Sequence, residues 1–301
     1  MQAVLMRQTG DPDVLQLEQV ERPEPAAGEV LIRVHAASVN PIEWKQRRGL
    51  VPKQLPAVLG SDVSGTVQAS RSDAFAEGDE VFGLASSGAY AELACASAAS
   101  IARKPPGVSH EHAAAIPVAG LAAWQALFDR GSLQSGQSAL IAGAAGGVGH
   151  FAVQFARHAG ARAIGTGSSR NREFVLGLGA EQYVDYTRQD VADAVSEVDV
   201  AFDTVGGDTT QALIATVRAG GRLVTIAGAA PERAAGERGV RAELLVMSPN
   251  VEQLAQIARL VAAAEVRVEI AHTLPLAEVR QAHELSEAGH TRGKIVLTLG
   301  A

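Results

Sequence analysis

Short apolar segments separated by turn residues fill the first third of the chain, up to about Arg103. Within these segments apolar and polar positions alternate or form brief apolar runs, which is typical of β-strands. Gly, Pro, Asn, Asp and Ser cluster between them, as expected of turns. The pattern therefore predicts an all-β region with strands at Ala3 to Leu5, Glu29 to Ala36, Gly65 to Gln68, Glu80 to Gly83 and Ala89 to Cys95.

The hydrophobic pattern changes between Ser138 and about Ala227. Apolar strands there alternate with segments of helical length, as in βαβ units on a parallel sheet. The predicted strands are Ala139 to Ala142, Ala161 to Gly165, Gln182 to Asp185, Val198 to Asp203 and Arg222 to Ala227.

A helical segment joins the two regions and is interpreted as a hinge. Ser109 can cap a helix that runs through Ala113 to Ala115, is interrupted by Pro117 and Gly120, and continues to Phe128. The tail predicts one clear helix and two strands, and a solvated loop precedes it. These segments are the loop Ala229 to Arg241, the helix Val251 to Ala264, and the strands Val266 to Ile270 and Lys294 to Leu299.

Composition indicates a globular protein of more than one domain. The chain has 301 residues, 47% of them hydrophobic and 20% charged, which is enough apolar material for a large core. Lys and Arg total 26 against 33 Asp and Glu, so the positive field that nucleic acid requires is missing. Nucleic acid is therefore not expected as a partner.

The single cysteine, Cys95, excludes an internal disulfide and any site with several cysteine ligands. We expect Cys95 to be a small buried apolar residue in a reducing compartment. The first ten residues lack the pattern of a signal peptide, and no apolar run reaches the roughly 18 residues of a membrane span. The sequence therefore predicts a cytoplasmic protein without membrane contact.

A glycine-rich turn carries the strongest chemical signal. Gly143, Gly146 and Gly149 follow the strand Ala139 to Ala142 and precede a helical pattern from His150 to Ala159. A dinucleotide site needs such a turn, because pyrophosphate must approach the backbone and the N–H groups of a helix N-terminus. The spacing is G-x-x-G-x-x-G rather than G-x-G-x-x-G. The alternative is that these glycines only pack the helix against the strand.

The end of the next strand indicates which dinucleotide binds. An NAD site usually has Asp or Glu about 20 residues after the glycines, where it contacts the ribose 2′-hydroxyl. Here Ser168, Ser169 and Arg170 occupy that region without a carboxylate. Hydroxyl and guanidinium donors suit a 2′-phosphate, so NADPH is favoured. The alternative is that Ser168 to Asn171 only caps a helix from Arg172 to Leu178.

No metal site is predicted. Catalytic zinc needs about three protein ligands, and the eight histidines form no ligand cluster with Cys95. His110 and His112 are interpreted as surface residues near a helix start. Without a Lewis acid an isolated carbonyl is weakly polarised, whereas a quinone or enone delocalises incoming charge. The expected acceptor is therefore conjugated.

Several segments resemble one family in its order along the chain. Asn40-Pro41-Ile42-Glu43-Trp44-Lys45 is similar to an N-P-x-D-W-K motif, with Glu43 in place of the commoner Asp. Ser61 and Asp62 stand where zinc alcohol dehydrogenases carry a His-Glu pair. Further matches are Ala115 to Trp124, Asp203 to Gly207 and Arg292 to Val296. The chain thus resembles the zinc-independent medium-chain dehydrogenases/reductases of the quinone oxidoreductase, zeta-crystallin-like branch.

The resemblance implies an α/β protein with a GroES-like β-barrel catalytic domain and a Rossmann domain with a doubly wound parallel sheet. The expected boundaries are 1–118 for the catalytic domain, 119–250 for the NADP-binding domain and 251–301 for a segment returning to the first domain. The family also implies that cofactor and substrate bind in a cleft between the domains and that edge strands pair in a homodimer.

The resemblance also implies roles for individual residues. Asn40 and Lys45 would be catalytic, and Asn40 would also lie near the nicotinamide ribose; alternatively Asn40 only forms a turn and Lys45 is a solvated side chain. Tyr186 would join Ser168 and Arg170 at the 2′-phosphate, or be an ordinary strand-end aromatic residue. Leu121 replaces a common threonine, which removes one contact with the nicotinamide. The remaining predicted cofactor contacts are Gly143, Gly146, Gly147, Val148, Gly149, Ser169, Val205, Ala227, Gly228, Ala229, Leu245 and Val246.

Together these patterns predict an NADPH-dependent, zinc-independent reductase that transfers hydride to quinones or α,β-unsaturated carbonyls. A second hypothesis is an NADPH-binding redox sensor or structural protein with little turnover. A third, a zinc alcohol dehydrogenase, is disfavoured by the missing ligands. No side chain stands out in the sequence as the proton donor.

Overall fold

The structure is a computed structural model that describes residues 1–300. Its strands are β1 (Gln2–Met6), β2 (Leu15–Gln19), β3 (Glu29–Val39), β4 (Ala57–Val58), β5 (Asp62–Ser70), β6 (Glu80–Leu84), β7 (Leu93–Ser97), β8 (Ile101–Arg103), β9 (Ser138–Ala142), β10 (Arg162–Gly167), β11 (Gln182–Asp185), β12 (Val198–Asp203), β13 (Val217–Thr225), β14 (Arg241–Leu244), β15 (Ile270–Pro275) and β16 (Lys294–Thr298).

The α-helices are α1 (Pro41–Arg47), α2 (His110–Ala114), α3 (Pro117–Trp124), α4 (Gly149–His158), α5 (Arg172–Gly177), α6 (Val191–Ala194), α7 (Asp208–Ile214), α8 (Glu232–Gly236), α9 (Val251–Ala262) and α10 (Val279–Ala288). A π-helical stretch, Gln125–Arg130, continues α3.

Two compact units make up the chain. The first unit contains Met1–Ala119, Pro249–Ala264 and residues 268–300, and the second contains Gly120–Ser248 with Glu265–Arg267. The sequence-based boundaries were 118/119 and 250/251. The boundaries of the two units lie one or two residues from these positions, and the second unit also includes residues 265–267.

The strands of the first unit pair in antiparallel fashion, except that β15 and β16 are parallel. Its larger sheet has the order β15-β16-β3-β5-β6-β8, with β7 also paired to β3, and a three-stranded sheet has the order β2-β1-β4. β3 is the central strand, because β5, β7 and β16 all pair with it in antiparallel register. Alternate residues of these strands, such as Ile32, Val63 and Leu297, are buried in a common apolar core. The predicted β-strand character of residues up to Arg103 is confirmed, but the helix α1 within them was not predicted.

The second unit contains a six-stranded parallel sheet. Its order, β11-β10-β9-β12-β13-β14, is that of a doubly wound nucleotide-binding fold, in which the strand order reverses between the first and fourth strands. Those two strands are β9 and β12 here, and they are direct neighbours. Strand residues such as Leu140, Ala201 and Leu223 are buried in its core. The predicted parallel sheet is confirmed.

Residues 266–270 were predicted as a strand, and that prediction was wrong, because the strand lies later in the chain. The strand β15 begins only at Ile270. Before it, the side-chain amide of Gln154 pairs with both backbone groups of Arg267, at 2.7 and 2.9 Å. This backbone therefore satisfies its hydrogen bonds with a helix side chain rather than with a strand.

Other elements also differ from the sequence prediction. The helix α10 was missed, although its residues Val279, Ala282 and His283 are buried at helical spacing. The supposed loop Ala229 to Arg241 contains the short helix α8.

Pro117 does separate two helices, as predicted, but Gly120 lies inside α3 and does not interrupt it. The predicted strand Ala89 to Cys95 begins only at Leu93, and Arg222 to Ala227 is displaced to Val217–Thr225.

Candidate functional site

The glycine-rich loop connects β9 to α4 in the second unit. Gly146 N–H donates to the carbonyl of Gly143 at 2.9 Å, which closes the turn. His150 N–H donates to the carbonyl of Gly146 at 3.1 Å and begins the helix. Among residues 1–300, the N–H groups of Gly147 and Val148 have no protein acceptor. Such N–H groups at a helix N-terminus can bind an anion.

Two of the glycines are required by close contacts. A Cβ atom on Gly149 would lie 2.2 Å from the carbonyl oxygen of Gly143. Gly143 has φ of +71°, and a Cβ atom there would lie 2.5 Å from the Thr204 hydroxyl oxygen and 3.1 Å from Val205 Cγ2. No larger side chain fits at either position. The loop after β9 therefore packs directly against the loop after β12.

Exposed apolar side chains follow three strands of the same sheet. Tyr186 follows β11 and is 58% exposed, Val205 follows β12 and is 56% exposed, and Val246 follows β14 and is 77% exposed. Large exposed apolar side chains at one sheet edge indicate a binding surface. Parallel sheets of this type bind ligands at the carboxyl ends of their strands, near the point where the order reverses.

A buried carboxylate stabilises this edge. Asp203 ends β12 and is fully buried. One of its oxygens accepts the N–H groups of Val205 at 2.9 Å and Gly206 at 3.0 Å. The other accepts the hydroxyls of Thr210 at 2.5 Å and Thr225 at 2.9 Å. Asp203 thus fixes the loop that carries Val205, a role that its place in the sequence motif did not reveal.

The other predicted residues of this edge follow β13 and β14. The hydroxyl of Thr225 accepts the N–H of Ala227 at 3.1 Å, which orders the start of the turn from Ala227 through Gly228 to Ala229. Leu245 is buried, and its N–H donates to the carbonyl of Thr225 at 2.8 Å. Leu245 is therefore part of the sheet edge, and the exposed side chain beside it belongs to Val246.

The turn after β10 carries the predicted 2′-phosphate residues. Ser169 and Arg170 are exposed, and the carbonyl of Ser168 accepts the hydroxyl of Tyr183 at 2.7 Å. The hydroxyl of Ser169 donates to the carboxylate of Asp185 at the end of β11. That hydrogen bond, with others from Thr187, lowers the pKa of Asp185. Ser169 is thus bound to Asp185, and Ser168 and Arg170 lie in the same turn.

Asn40 lies in the first unit, where it precedes α1. It is 3% exposed, and its N–H donates to a carboxylate oxygen of Glu43 at 2.6 Å. Its side-chain amide donates to Asp62 at 2.9 Å and accepts from the ammonium of Lys294. Asn40 is therefore more than a turn former: both ends of its amide are fixed.

Asp62 and Lys294 form the centre of a buried polar cluster. Lys294 Nζ lies 3.5 Å from Asp62 Oδ2, and both side chains are almost completely buried. The same carboxylate accepts the hydroxyl of Ser38 at 2.5 Å and the N–H of Val118 at 2.8 Å. Because a buried charge is costly unless it is paired and hydrogen-bonded, this cluster has a defined geometry. Lys294 lies in the motif from Arg292 to Val296, but its role could not be predicted from the sequence.

Glu43 is the most perturbed carboxyl group of the cluster. It is 1% exposed and accepts the N–H of Ser61 at 3.1 Å and its hydroxyl at 2.8 Å. Burial raises the pKa of Glu43 to about 7, and the negative charge of Asp62 adds to this effect. Glu43 can therefore exist in either protonation state near neutral pH.

Lys45 is not joined to this cluster. Its ammonium lies 5.7 Å from the centre of the Trp44 ring. This ammonium makes no hydrogen bond or ion pair with any residue in the described part of the chain. Lys294, rather than Lys45, is the cation beside Asn40.

The cluster does not fit a zinc ion. The segment that carries a His-Glu pair in zinc dehydrogenases has Ser61 and Asp62 here, and the carboxylate of Asp62 already faces the ammonium of Lys294. In residues 1–300 no group of three His, Cys, Asp or Glu side chains is arranged to hold a metal. The donor set therefore disagrees with a zinc site of the usual kind.

A second polar cluster in the first unit includes His110. Its ring contacts the hydroxyl of Ser64 at 2.8 Å and the carboxylate of Glu80 at 3.1 Å, and stacks on His35 at 4.4 Å. The prediction that His110 is a simple surface residue was wrong, whereas His112 is exposed. Ser64 is fully buried, so this Ser-His-Glu arrangement cannot present a nucleophile and is structural. Cys95 is buried, as predicted.

Comparison with known proteins gives two family matches. Residues 26–106 match the alcohol dehydrogenase GroES-like domain, and residues 178–297 match a family described as zinc-binding dehydrogenase. The first match covers most of the antiparallel strands of the first unit. Together with the parallel sheet, it establishes the expected fold class of a GroES-like domain and a Rossmann-type domain.

Curated relatives extend the match along the chain. Mouse quinone oxidoreductase is 32% identical and covers 99% of this chain and 98% of its own. A chloroplastic NADPH-dependent alkenal/one oxidoreductase of Arabidopsis thaliana is 30% identical and covers 99% of this chain and 79% of its own. A chloroplastic quinone-oxidoreductase homolog of spinach is 38% identical over 65% of this chain, and the chain covers 64% of that relative.

Solved structures agree in fold over the whole chain. The quinone oxidoreductase of Coxiella burnetii has a TM-score of 0.95 and 38% identity, covering 100% of this chain and 99% of its own. The Escherichia coli quinone oxidoreductase complexed with NADPH has a TM-score of 0.92 and 26% identity, covering 99% and 100%. Among the described residues, no helix has the length and apolar character needed to span a bilayer.

Proposed function

The chain belongs to the quinone oxidoreductase branch of the medium-chain dehydrogenases/reductases and is an oxidoreductase, and we propose that it is an NADPH-dependent reductase of quinones or α,β-unsaturated carbonyls. NADPH, when bound, supplies a hydride to the electron-poor carbon of the acceptor. The residues of this chain bind the two reactants, orient them and stabilise the oxygen that becomes negative.

The glycine-rich loop is the observation that carries the proposal. It combines glycines that no larger residue can replace, the unpaired N–H groups of Gly147 and Val148, and the exposed side chain of Val205. A pyrophosphate would satisfy these N–H groups, and a dinucleotide would cover the exposed apolar side chains that follow β11, β12 and β14. The NADPH in the Escherichia coli relative supports the same cofactor for this chain.

Preference for the 2′-phosphate is assigned to Arg170 and Ser168. Arg170 can bind a phosphate through two hydrogen bonds, while no carboxylate occurs in the turn itself. Asp185 lies nearby, but its carboxylate is already bound by Ser169 and Thr187. The proposal therefore assigns NADPH rather than NADH as the reductant.

Asn40 is assigned to the acceptor in this proposal. One N–H of its amide is bound to Asp62, so the second remains as a donor of fixed direction. A fixed donor of this kind stabilises a developing oxyanion without reorganisation. Lys45, being only partly buried and bound to no carboxylate, is assigned an accessory role in orienting the acceptor.

The relatives favour a conjugated acceptor. Those described above are named for quinone and for alkenal/one reduction. In both chemistries the negative charge that arrives with hydride is delocalised, so no metal is required to polarise an isolated carbonyl. The proposal keeps the cytoplasm as the expected location, and a homodimer formed by pairing edge strands of two nucleotide-binding domains as the expected assembly.

NADPH consumption with a panel of quinones and enones tests this function. The purified chain is assayed with NADPH and NADH in parallel, with a chelator present. We expect turnover with NADPH that resists the chelator. NADPH binding, seen by its fluorescence, without turnover on any acceptor would favour the redox-sensor hypothesis instead, and loss of activity with the chelator would favour a zinc enzyme.

A further inference from the structure

Reduction of a quinone or enone consumes a proton as well as a hydride. Hydride adds to one carbon of the acceptor, and a proton must then reach the resulting enolate or hydroquinone anion. The sequence showed no evident donor. The buried cluster of the first unit contains a hydroxyl and a carboxyl group that could perform this step.

The pair consists of Ser61 and Glu43. The Ser61 hydroxyl lies 2.8 Å from Glu43 Oε1, and the Ser61 N–H donates to the same oxygen at 3.1 Å. The other oxygen, Oε2, accepts the N–H of Asn40 at 2.6 Å. Glu43 is 1% exposed, whereas Ser61 is only partly buried. Ser61 can therefore meet a ligand that Glu43 cannot reach.

Charged groups from every neighbouring element influence Glu43. Asp62 on β5 disfavours the carboxylate, whereas Lys294 on β16 favours it, and the buried hydroxyl of Tyr90 is also within electrostatic range. Lys45 and Arg47 lie on its own helix, α1, and the Arg47 guanidinium is bound to Glu287 on α10. Burial outweighs the stabilising contacts, which places the pKa of Glu43 at about 7.

Other hydroxyls of the first unit's polar clusters are unsuitable. Ser38 is fully buried and donates to Asp62. Ser64 is fully buried and bonded to His110. Tyr90 is fully buried, and its hydroxyl has no hydrogen-bond partner among the described residues. Ser61 is the member of this set that combines a bonded proton source with partial exposure.

We propose that Ser61 is a catalytic residue that delivers a proton to the reduced acceptor, and that Glu43 replaces this proton through the hydrogen bond between them. This inference rests on the proposed reductase function. The O–H bond of Ser61 breaks as the proton joins the acceptor anion, and the O–H bond of protonated Glu43 breaks as Ser61 is reprotonated. The hydride electrons remain in the acceptor, and after the product leaves a proton from water returns to Glu43 through the hydroxyl of Ser61.

The test compares Ser61→Ala with Ser61→Thr and Glu43→Gln. Ser61→Ala removes the hydroxyl and is expected to lower kcat about a hundredfold, the usual range for a proton donor. Ser61→Thr keeps a hydroxyl and is expected to restore most of the activity. The wild-type kcat is expected to fall above a pH of about 7. Glu43→Gln is expected to lower kcat and to remove this fall. The affinity for NADPH, measured by its fluorescence, should change less than about twofold in each variant.

Ser86→Ala is the matched control. Its hydroxyl also lies 2.8 Å from a glutamate, Glu29, but on the exposed surface of the same unit. Loss of that hydroxyl should leave kcat and its pH profile unchanged. A fall in kcat equal to that of Ser61→Ala would overturn the assignment, because loss of any serine-glutamate contact would then suffice.

Infrared titration tests the pair without turnover. In the wild type, the carboxylic acid band of Glu43 should disappear near pH 7 and be absent in Glu43→Gln. Because the Ser61 hydrogen bond favours the carboxylate, Ser61→Ala should shift this titration to higher pH. An unshifted titration would show that the two groups are not coupled.

The experiments distinguish failure of the proposed reductase function from failure of the proton-delivery role of Ser61. If the wild type reduces no quinone or enone, the proposed function fails and the proton-delivery role fails with it. If the wild type is active and Ser61→Ala retains its kcat and pH profile, only the proton-delivery role is overturned.

Discussion

The two candidate regions differ in how far their polar groups are already paired within the protein. At the carboxyl edge of the parallel sheet, the N–H groups of Gly147 and Val148 have no protein acceptor among residues 1–300, and the side chain of Val205 is 56% exposed. In the cluster around Asp62 and Lys294, nearly every polar atom is bound to another side chain and excluded from water. The first region gains its contacts when a ligand binds, whereas the second is organised before any ligand arrives.

Because of this difference, we expect the sheet edge to determine affinity for the cofactor and the buried cluster to determine the orientation of the acceptor. An open edge made of backbone can close on a long cofactor and contribute binding energy along its length. A closed side-chain cluster contributes little area but fixes the direction of one amide, that of Asn40. Fixed dipoles are what stabilise charge that develops during a reaction. Changes in the first region should therefore affect binding, and changes in the second should affect stability and kcat.

The largest effect is expected at Lys294. Lys294→Met leaves the buried Asp62 carboxylate without its cation, and breaking a buried pair typically costs about 3–5 kcal/mol of unfolding free energy. Urea denaturation measures this loss. Arg7→Met is the control, because its pair with Glu18 is exposed and its loss should change the free energy of unfolding far less. Similar losses in both variants would contradict the closed character of the cluster.

The next effect is expected at Gly149. In Gly149→Ala the new Cβ would meet the carbonyl of Gly143 at 2.2 Å, so the loop must move away from its cofactor-binding shape. We expect the NADPH dissociation constant to rise about a hundredfold, equivalent to about 2.7 kcal/mol. Fluorescence titration measures it, with a thermal unfolding curve to show that the fold persists.

Gly177→Ala is the matched control for the loop. Gly177 lies at the end of α5 in the same unit, and a Cβ atom added there would have no neighbour within 4 Å. Alanine in a helix is favoured over glycine by up to about 1 kcal/mol. Its NADPH affinity should equal that of the wild type, and tight binding by Gly149→Ala would show that the loop does not hold the cofactor.

The pH dependence of stability provides a smaller test. The pKa of Glu43 rises from 4.5 in the unfolded chain to about 7 in the fold, so the folded state binds more protons between these values. Its contribution is full below pH 4.5 and is lost as the pH rises to 7, on the order of 2–3 kcal/mol. Denaturation at pH 5 and pH 8 measures it, and Glu43→Gln should reduce the difference.

His283 should act in the opposite direction. Burial lowers its pKa from 6.5 to about 3, so its contribution is present above pH 6.5 and is lost as the pH falls towards 3. His283→Phe should therefore lessen the loss of stability that occurs as the pH falls below 6.5. It should raise the stability at pH 5 relative to that at pH 8, whereas Glu43→Gln should lower it. If this variant and Glu43→Gln had the same effect, the two assignments would be wrong.

The smallest effect is expected at Arg170. Arg170→Ala removes the charged donors assigned to the 2′-phosphate, and a charge-assisted hydrogen bond contributes about 1.5–3 kcal/mol. The KM for NADPH should rise about tenfold or more, and that for NADH less than twofold. Arg162→Ala, at the exposed opposite end of β10, should change neither. Equal changes for both cofactors would remove Arg170 from the phosphate site.

The sequence allowed much of the first region to be predicted. Its glycine-rich loop is contiguous, since strand, glycines and helix follow one another within residues 138–158, and a local contact with the carbonyl of Gly143 requires glycine at position 149. The contacts of Gly143 with Thr204 and Val205 come from another loop and could not be read from this segment. Asp185 was a further exception. It is distant in sequence from the turn after β10, so its bond to Ser169 depended on the parallel pairing of β10 with β11.

The second region could be predicted only in part. Asn40 was selected through a motif, but its partners come from β5 and β16, and Lys294 is 254 residues away. Spacing cannot reveal such a contact, because it depends on the pairing of β16 with β3. Lys45 was chosen through the same motif, and the fold places the ammonium of Lys294 beside Asn40 instead. The pKa of Glu43 likewise depends on burial that no single segment determines.

Isotope transfer from NADPH labelled with deuterium at C4 tests the central claim most directly. The wild-type chain is incubated with the labelled cofactor and an enone in ordinary water, and the product is analysed by mass spectrometry and NMR. The account predicts one deuterium, at the carbon β to the carbonyl, and a proton from water at the neighbouring carbon. A reduced product without deuterium, or NADPH binding without any reduced product, would contradict it.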